Sequence, residues 1–256
     1  MDHAWLAVLS HLPQKDLIRV ERVNKTMKVL ARSEWRRRKS ADMQDALGNA
    51  SLSEEAMIGV IDRLSSALSS LRIGCPSISD SPSSSPVSSL SSTSQYFPSS
   101  RTITRSIIEK ISERCPRLRS LSIYRMTLSL PALTAFPRLP CTLEELTITV
   151  CRMECYTDEE GRLAQDAIAE LVSNLPRLRK FEITGRGACY DHFILDERVL
   201  DRLPDTVTHM HLSAGDSLKL MDLRFLKQRE LYSFTLARSF ISNADLATLV
   251  LRSPHI

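Results

Sequence analysis

From Thr102 onward the apolar residues recur in one short pattern, apolar-x-x-apolar-x-apolar. It appears as Leu118-Leu121-Ile123, Leu143-Leu146-Ile148, Leu178-Phe181-Ile183, Val207-Met210-Leu212 and Leu231-Phe234-Leu236. The first positions lie 25, 35, 29 and 24 residues apart, and one more step of 25 reaches Ile256. Met126 and Cys151 fill a further slot after the first two copies, and Leu68-Leu71-Ile73 is a fainter copy upstream. The alternation at the end of each copy predicts a strand with one face in a core. Between copies the spacing turns helical. Ile107, Ile108 and Ile111 share a face, as do Ile168, Leu171, Val172 and Leu175, then Val199, Leu200 and Leu203, then Leu246, Leu249 and Val250. Pro116, Pro176, Pro204 and Pro254 cannot continue a helix and punctuate the turn before each strand. Strand plus helix at a period of this length predicts an α/β repeat stack in which neighbours share one core.

The first 45 residues follow a different pattern. Leu6, Leu9 and Leu12 form a helical stripe that Pro13 ends. Asp16 is placed to cap a second helix bearing Leu17, Ile18, Val20 and Val23. Met27, Val29, Leu30, Ala31 and Trp35 continue as a third. Three short helices make a poor independent core, so this unit is expected to complete its burial against a partner or the next domain. Between the two regions, thirteen of the 27 residues from Gly74 to Ser100 are serine and four are proline. Such a segment cannot offset its ordering entropy, which predicts a disordered insertion. Its Ser81-Pro82 and Ser85-Pro86 are candidate phosphorylation sites. The expected organisation is a helical domain at 1–45, a linking helix and first degenerate repeat at 46–73, the insertion at 74–101, and the repeat domain at 102–256. That domain reads as truncated, because Ile256 falls where another strand should begin.

Composition narrows the function classes. Net charge is +4 over 256 residues, which does not call for nucleic acid, and only seven residues are glycine. No apolar run approaches a membrane span, and the N-terminus lacks a basic stretch before its short apolar segment. Six cysteines without a CxxC pair suggest reduced thiols, hence a cytoplasmic or nuclear protein. No P-loop, HExxH or GxSxG motif is present, and nothing calls for a cofactor. His209 and His211 share one side of a strand and could share a metal, but no third ligand is evident. The run Arg36-Arg37-Arg38-Lys39 reads as a solvated helix end, a localisation signal or a phosphate contact.

The repeats resemble the longer, helix-containing leucine-rich repeats of F-box and ribonuclease-inhibitor-like proteins. Residues 2–40 resemble the F-box itself: Ser10-His11-Leu12-Pro13-Gln14-Lys15-Asp16-Leu17 matches its middle, Val23-Asn24-Lys25 the start of its third part, and Leu30-Ala31 with Trp35 its end. Asn24 stands for the family's usual cysteine, Met27 for a tryptophan, and the opening Leu-Pro is missing. The resemblance implies a three-helix F-box followed by a solenoid with parallel strands on the concave side and helices on the convex side. It also implies a substrate receptor of an SCF-type cullin–RING ubiquitin ligase, not itself an enzyme. By that pattern Leu9, Leu12, Pro13, Leu17, Ile18, Val20 and Val23 form the surface for the Skp-type linker subunit, with intramolecular core as the alternative for each. The other function class is a leucine-rich-repeat scaffold acting outside any ligase.

Within the repeats the outward positions are Ser120, Ser122 and Tyr124; Glu145, Thr147 and Thr149; Lys180, Glu182 and Thr184; His209, His211 and Ser213; and Ser233, Thr235 and Ala237. This mixed polar surface suits a protein substrate better than nucleic acid. Tyr124, Lys180, Glu182, His209 and His211 are the candidate substrate-binding residues, with an ordinary solvated surface as the alternative.

Overall fold

The computed structural model describes residues 2–48, 52–64, 66–74, 101–185, 197–213, 219–220, 230–237, 239–240 and 242–253. The predicted Ser/Pro-rich insertion, with Ser81 and Ser85, lies outside the described residues except for Gly74 and Arg101, and so do Pro254 and Ile256.

Three helices open the chain: α1 (Asp2–Ser10), α2 (Gln14–Val20) and α3 (Lys25–Arg37). They lead into β1 (Ser40–Asp42), α4 (Met43–Leu47), α5 (Glu54–Ile61) and β2 (Ser70–Ile73). Next come β3 (Thr102–Ile103), α6 (Arg105–Arg114), β4 (Ser120–Tyr124), β5 (Thr127–Ser129), α7 (Leu130–Ala135) and a 3-10 turn at Phe136–Arg138. Then follow β6 (Glu145–Glu154), α8 (Asp158–Ser173), β7 (Lys180–Gly185), α9 (Glu197–Asp201), β8 (His209–Ser213) and β9 (Lys219–Leu220). The last elements are β10 (Ser233–Ala237), β11 (Ser239–Phe240) and α10 (Asn243–Arg252).

The main sheet runs β1-β2-β4-β6-β7-β8-β10 and every pairing in it is parallel. Its register follows the sequence pattern. Leu71, Leu121, Leu146, Phe181, Met210 and Phe234 stack in one row, and Ile73, Ile123, Ile148, Ile183, Leu212 and Leu236 in the next. Leu68, Leu118, Leu143, Leu178, Val207 and Leu231 are fully buried. The fainter upstream copy is therefore a full rung. Each buried leucine of this kind contributes about 1.5–3 kcal/mol by leaving water.

One backbone motif repeats at the entrance to each rung. The carbonyls of Lys39, Ser69, Arg119, Glu144, Arg179 and Thr208 each accept two N–H groups from the following rung, at 2.7–3.3 Å. Two threonines add a clasp that the apolar pattern did not signal. Thr142 Oγ1 donates to the Leu118 carbonyl at 2.7 Å, and Thr206 Oγ1 donates to the Leu178 carbonyl at the same distance. A second parallel ladder, β3-β5-β6, extends one side of the stack because β6 continues past a bulge between Thr149 and Cys151.

The structure changes four expectations. First, the sheet begins within the span read as only helical, since β1 pairs with β2 and puts Ala41 beside Leu71. Second, Asp16 does not cap α2. The helix begins at Gln14, Asp16 pairs with Arg19 at 2.8 Å, and the orphan N–H of Gln14 goes to the Asp45 carboxylate on α4 at 3.0 Å. Third, Val29 and Val250 are exposed rather than buried. Residue 29 lies a large rotation away from the buried Leu30–Ala31 edge of α3. Fourth, Thr147 and Thr184 are buried on the outward face.

Candidate interaction surfaces

The outward face of β6, β7 and β8 is organised around one carboxylate. Glu182 is mostly buried for a charged side chain, at 16% exposure. Thr149 Oγ1 donates to its Oε1 at 3.0 Å, His211 Nδ1 lies 3.3 Å from the same oxygen, and Lys180 Nζ lies 3.4 Å from Oε2. The parallel register explains the meeting, because it sets Glu182 opposite His211 and places Thr149 two residues beyond Thr147, its opposite on β6. Glu182 therefore orders its neighbours, while Lys180 and His211 remain the more exposed groups that can meet a partner.

His209 stands opposite Lys180 in the register and is exposed. Its ring stacks on Tyr232 with centroids 6.3 Å apart and planes within 17°. Its Nδ1 lies 2.9 Å from the Thr208 hydroxyl. Tyr232 was not among the predicted residues because it occupies the slot next to buried Leu231, yet it is half exposed and supplies the largest ring on this edge. A tyrosine directly after the first template position was the available signal.

Of the five predicted substrate-facing residues, the structure thus joins Lys180, Glu182 and His211 in one cluster with His209 adjacent. Tyr124 is apart. It is half-buried on β4, two strands from β7, about 10 Å away at the usual strand spacing. Beside it Gly74 ends β2 at φ +84°, where a Cβ would stand 2.0 Å from the Tyr124 carbonyl oxygen.

Burial pushes the Cys115 and Cys155 thiols up to about 11 and Cys151 to about 12, the reverse of an activated nucleophile. Cys151 Sγ instead lies 3.5 Å from the Ile123 carbonyl, in its repeat slot. Among the described residues no three His, Cys, Asp or Glu side chains are placed to share a metal, and no helix is long and apolar enough to cross a membrane.

The second surface lies on α1–α3. Of the seven residues predicted for linker binding, Leu9 and Leu17 are buried and unavailable. α1 packs on α3 and buries Leu9, while α2 packs on α3 and α4 and buries Leu17. Leu12, Ile18 and Val20 are half-buried against the same core, and Pro13 and Val23 are exposed. Sequence reasoning missed Trp5, Val8 and Val29, which are also exposed. Trp5 and Val8 lie at i, i+3 on α1, away from the Leu6–Leu9 stripe, and that spacing was the signal. Asn24, at the position where the F-box pattern has cysteine, caps α3 by accepting the Met27 N–H at 2.8 Å.

These helices are tied to the stack by polar contacts. Arg38 Nη2 donates to the Leu12 carbonyl at 2.6 Å, and the Asp42 N–H donates to Gln14 Oε1 at 3.0 Å. Buried Glu21 receives Arg63 Nε at 3.0 and 3.1 Å, joining α2 to the end of α5.

No family model matches the chain, and no curated protein matches it. Among solved structures, a chain from the crystal structure of a TLR13–ssRNA13 complex is similar over 86% of this chain and 32% of its own length, at 10% identity and a TM-score of 0.36. The chain thus spans about a third of that neighbour's length. The mixed α/β architecture with its parallel sheet rests on its own register and hydrogen bonds, independently of this likeness.

Proposed function

We propose that this chain is the substrate-recognition subunit of an SCF-type cullin–RING ubiquitin ligase, working in the cytoplasm or nucleus. The three N-terminal helices act as the F-box that docks on a Skp-type linker subunit. The leucine-rich-repeat stack holds a protein substrate. The observation that carries this reading is the unpartnered apolar set on α1–α3. Trp5, Val8, Val23 and Val29 are 45–67% exposed on a unit otherwise fastened to the stack. Exposed apolar residues that join into a contiguous patch mark an interaction site.

The mechanism is proximity. A receptor that holds substrate at one end and the ligase at the other raises the local concentration of substrate lysines near the charged ubiquitin carrier. It performs no chemical step itself. The ties through Arg38, Gln14 and Glu21 support this role, because a fixed angle between docking unit and stack fixes where the substrate is presented.

A second reading, a repeat scaffold outside any ligase, is favoured by the burial of Leu9 and Leu17, which removes two of the seven predicted linker contacts from the surface. Co-expression with a Skp-type linker subunit followed by pull-down separates the two. The ligase reading expects co-purification by the wild type and at least tenfold weaker capture by Val23→Asp and Trp5→Asp, with unchanged circular dichroism. Both substitutions are at exposed positions, so the fold should persist. Failure of the wild type to bind would leave the scaffold.

A further inference from the structure

The residues just before and just after the first template position of each rung, which is Arg38 at β1 and a buried leucine at β4 and β7, lie along the edge where the chain enters the sheet. On three alternate rungs both are basic, while the next alternate rung, β10, carries Glu230 and Tyr232. Arg37 and Lys39 flank that position at β1, Arg117 and Arg119 at β4, and Arg177 and Arg179 at β7. All six are exposed. The backbone bonds fix the alignment of the inner row, since Lys39, Ser69, Arg119, Glu144 and Arg179 pass hydrogen bonds from rung to rung. The intervening rungs carry Ala67 and Ser69, then Thr142 and Glu144. Between the basic rungs the one acidic group is Glu144, which engages Arg119 at 3.6 Å; a second, Glu230, lies beyond them at β10. The run at 36–39 is thus the first step of a basic edge that recurs at β4 and β7.

That spacing selects a ligand. Two strands span about 10 Å, and an extended peptide advances about 3.3 Å per residue, so one basic pair meets every third residue. Five of the six cations are arginine, whose planar fork suits carboxylate and phosphate oxygens. Next to the edge lie Lys180 and His209 of the polar face. Tyr232 is the single aromatic seen there among the described residues, so the series of base-stacking platforms expected for single-stranded nucleic acid is missing from them. We propose that the strand-entry edge binds an extended, acidic segment of the protein substrate with anionic groups at every third residue. This deepens the proposed recognition role of the stack and rests on it. It does not require linker-subunit binding, so the two proposals fail separately.

The test is fluorescence anisotropy with the full chain and labelled Gly/Ser/Thr peptides. One carries phosphoserine at i, i+3 and i+6, one carries three consecutive phosphoserines, one carries glutamate at the spaced positions, and one is uncharged. An oligouridylate of equal charge is run beside them. The spaced phosphopeptide is expected to bind at least tenfold tighter than the consecutive and uncharged ones. Arg117→Glu with Arg177→Glu should weaken it at least tenfold, while Lys25→Glu with Arg162→Glu, exposed and away from this edge, should change it less than twofold. Glutamate binding within threefold of phosphoserine assigns the anion to carboxylates, and weaker binding assigns it to phosphate; both support the proposal. No binding by the spaced peptides, equal affinity for both phosphate spacings, equal binding of oligouridylate, or equal loss in the control variant would each overturn it.

Discussion

Glu21→Ala is the most direct probe of how the N-terminal helices are held. Glu21 lies at the end of α2, with only 5% of its side chain exposed, and receives Arg63 Nε on both oxygens at 3.0 and 3.1 Å. Arg32 approaches at 3.8 Å from α3. At 3 Å and an effective dielectric of about 20, the gross attraction is about 5 kcal/mol. Desolvation of both ions offsets much of that, so the net value of the pair is small. Truncating one partner is different, because it leaves a partly buried guanidinium without its carboxylate. The expected cost is about 3 kcal/mol. Glu21→Leu with Arg63→Met removes both charges and should cost about 1 kcal/mol or less.

The assay uses the placement of the tryptophans. The chain has two, Trp5 and Trp35, both in the N-terminal helices, and Trp35 is fully buried. Tryptophan fluorescence therefore follows the helical unit, while far-UV circular dichroism follows the whole chain. In urea the wild type should give coincident transitions. In Glu21→Ala the fluorescence midpoint should fall by about 1–2 M, ahead of the dichroism, given a slope of about 1–3 kcal/mol/M. A loss below about 1 kcal/mol, or a double variant as unstable as the single, would refute the reasoning. Either result would mean that the helices are seated by apolar packing alone.

Gly74→Ala should cost more than about 2 kcal/mol, because φ +84° is unfavourable for alanine and its Cβ would collide with the Tyr124 carbonyl; thermal unfolding reads this, and an unchanged midpoint would contradict it. Thr142→Val and Thr206→Val should each cost about 1 kcal/mol by removing a donor from a loop carbonyl. As they sit in separate repeats, their effects in urea should add. The buried thiols set an alkaline limit. Their folded values near 11–12 exceed the unfolded value of 9.0, so the unfolded chain gives up protons first. Stability is unaffected below about pH 9 and falls above it by about 1.4 kcal/mol per pH unit for each thiol until its folded value is reached. Urea midpoints between pH 8 and 10.5 measure the slope, which Cys115→Ala should reduce, and at pH 8 iodoacetamide should label exposed Cys141 well ahead of Cys115, Cys151 and Cys155.

The stack was legible because two periods coincide in it. Alternation within a strand and recurrence between strands together specify both the face and the register of Leu121, Leu146, Phe181 and Met210. β1 was hidden because its rung carries Arg38, Ala41 and Met43, which do not spell the pattern, and it is recruited by backbone bonds to Lys39. The start of α2 was misplaced because its cap is supplied by Asp45 from another helix, and local capping rules see only neighbours in sequence. On α1 the stripe Leu6-Leu9-Leu12 announces an apolar face without saying whether the chain or a partner covers it. Packing on α3 settled that for Leu9 and left Trp5 and Val8 outside. At the polar face the pattern put Lys180, Glu182 and His211 among the outward residues, but it could not show that the oxygens of Glu182 are already engaged by its neighbours.

The same register that builds the core also sets which side chains face outward. Side chains alternate along each strand, so Phe181 and Met210 stabilise the stack while Lys180, His209 and His211, one residue away, can change without opening it. Because rungs repeat, a charge at one template slot becomes a row, and the row has the spacing of the sheet. On the proposed recognition role, the polar face and the basic edge are two readouts of one geometry, in which each rung would contribute a nearly independent increment of binding. Glu182 is the exception. A carboxylate that fixes Thr149, Lys180 and His211 at once couples β6, β7 and β8, so its loss should disturb several contacts on the face together where loss of Lys180 alone disturbs one.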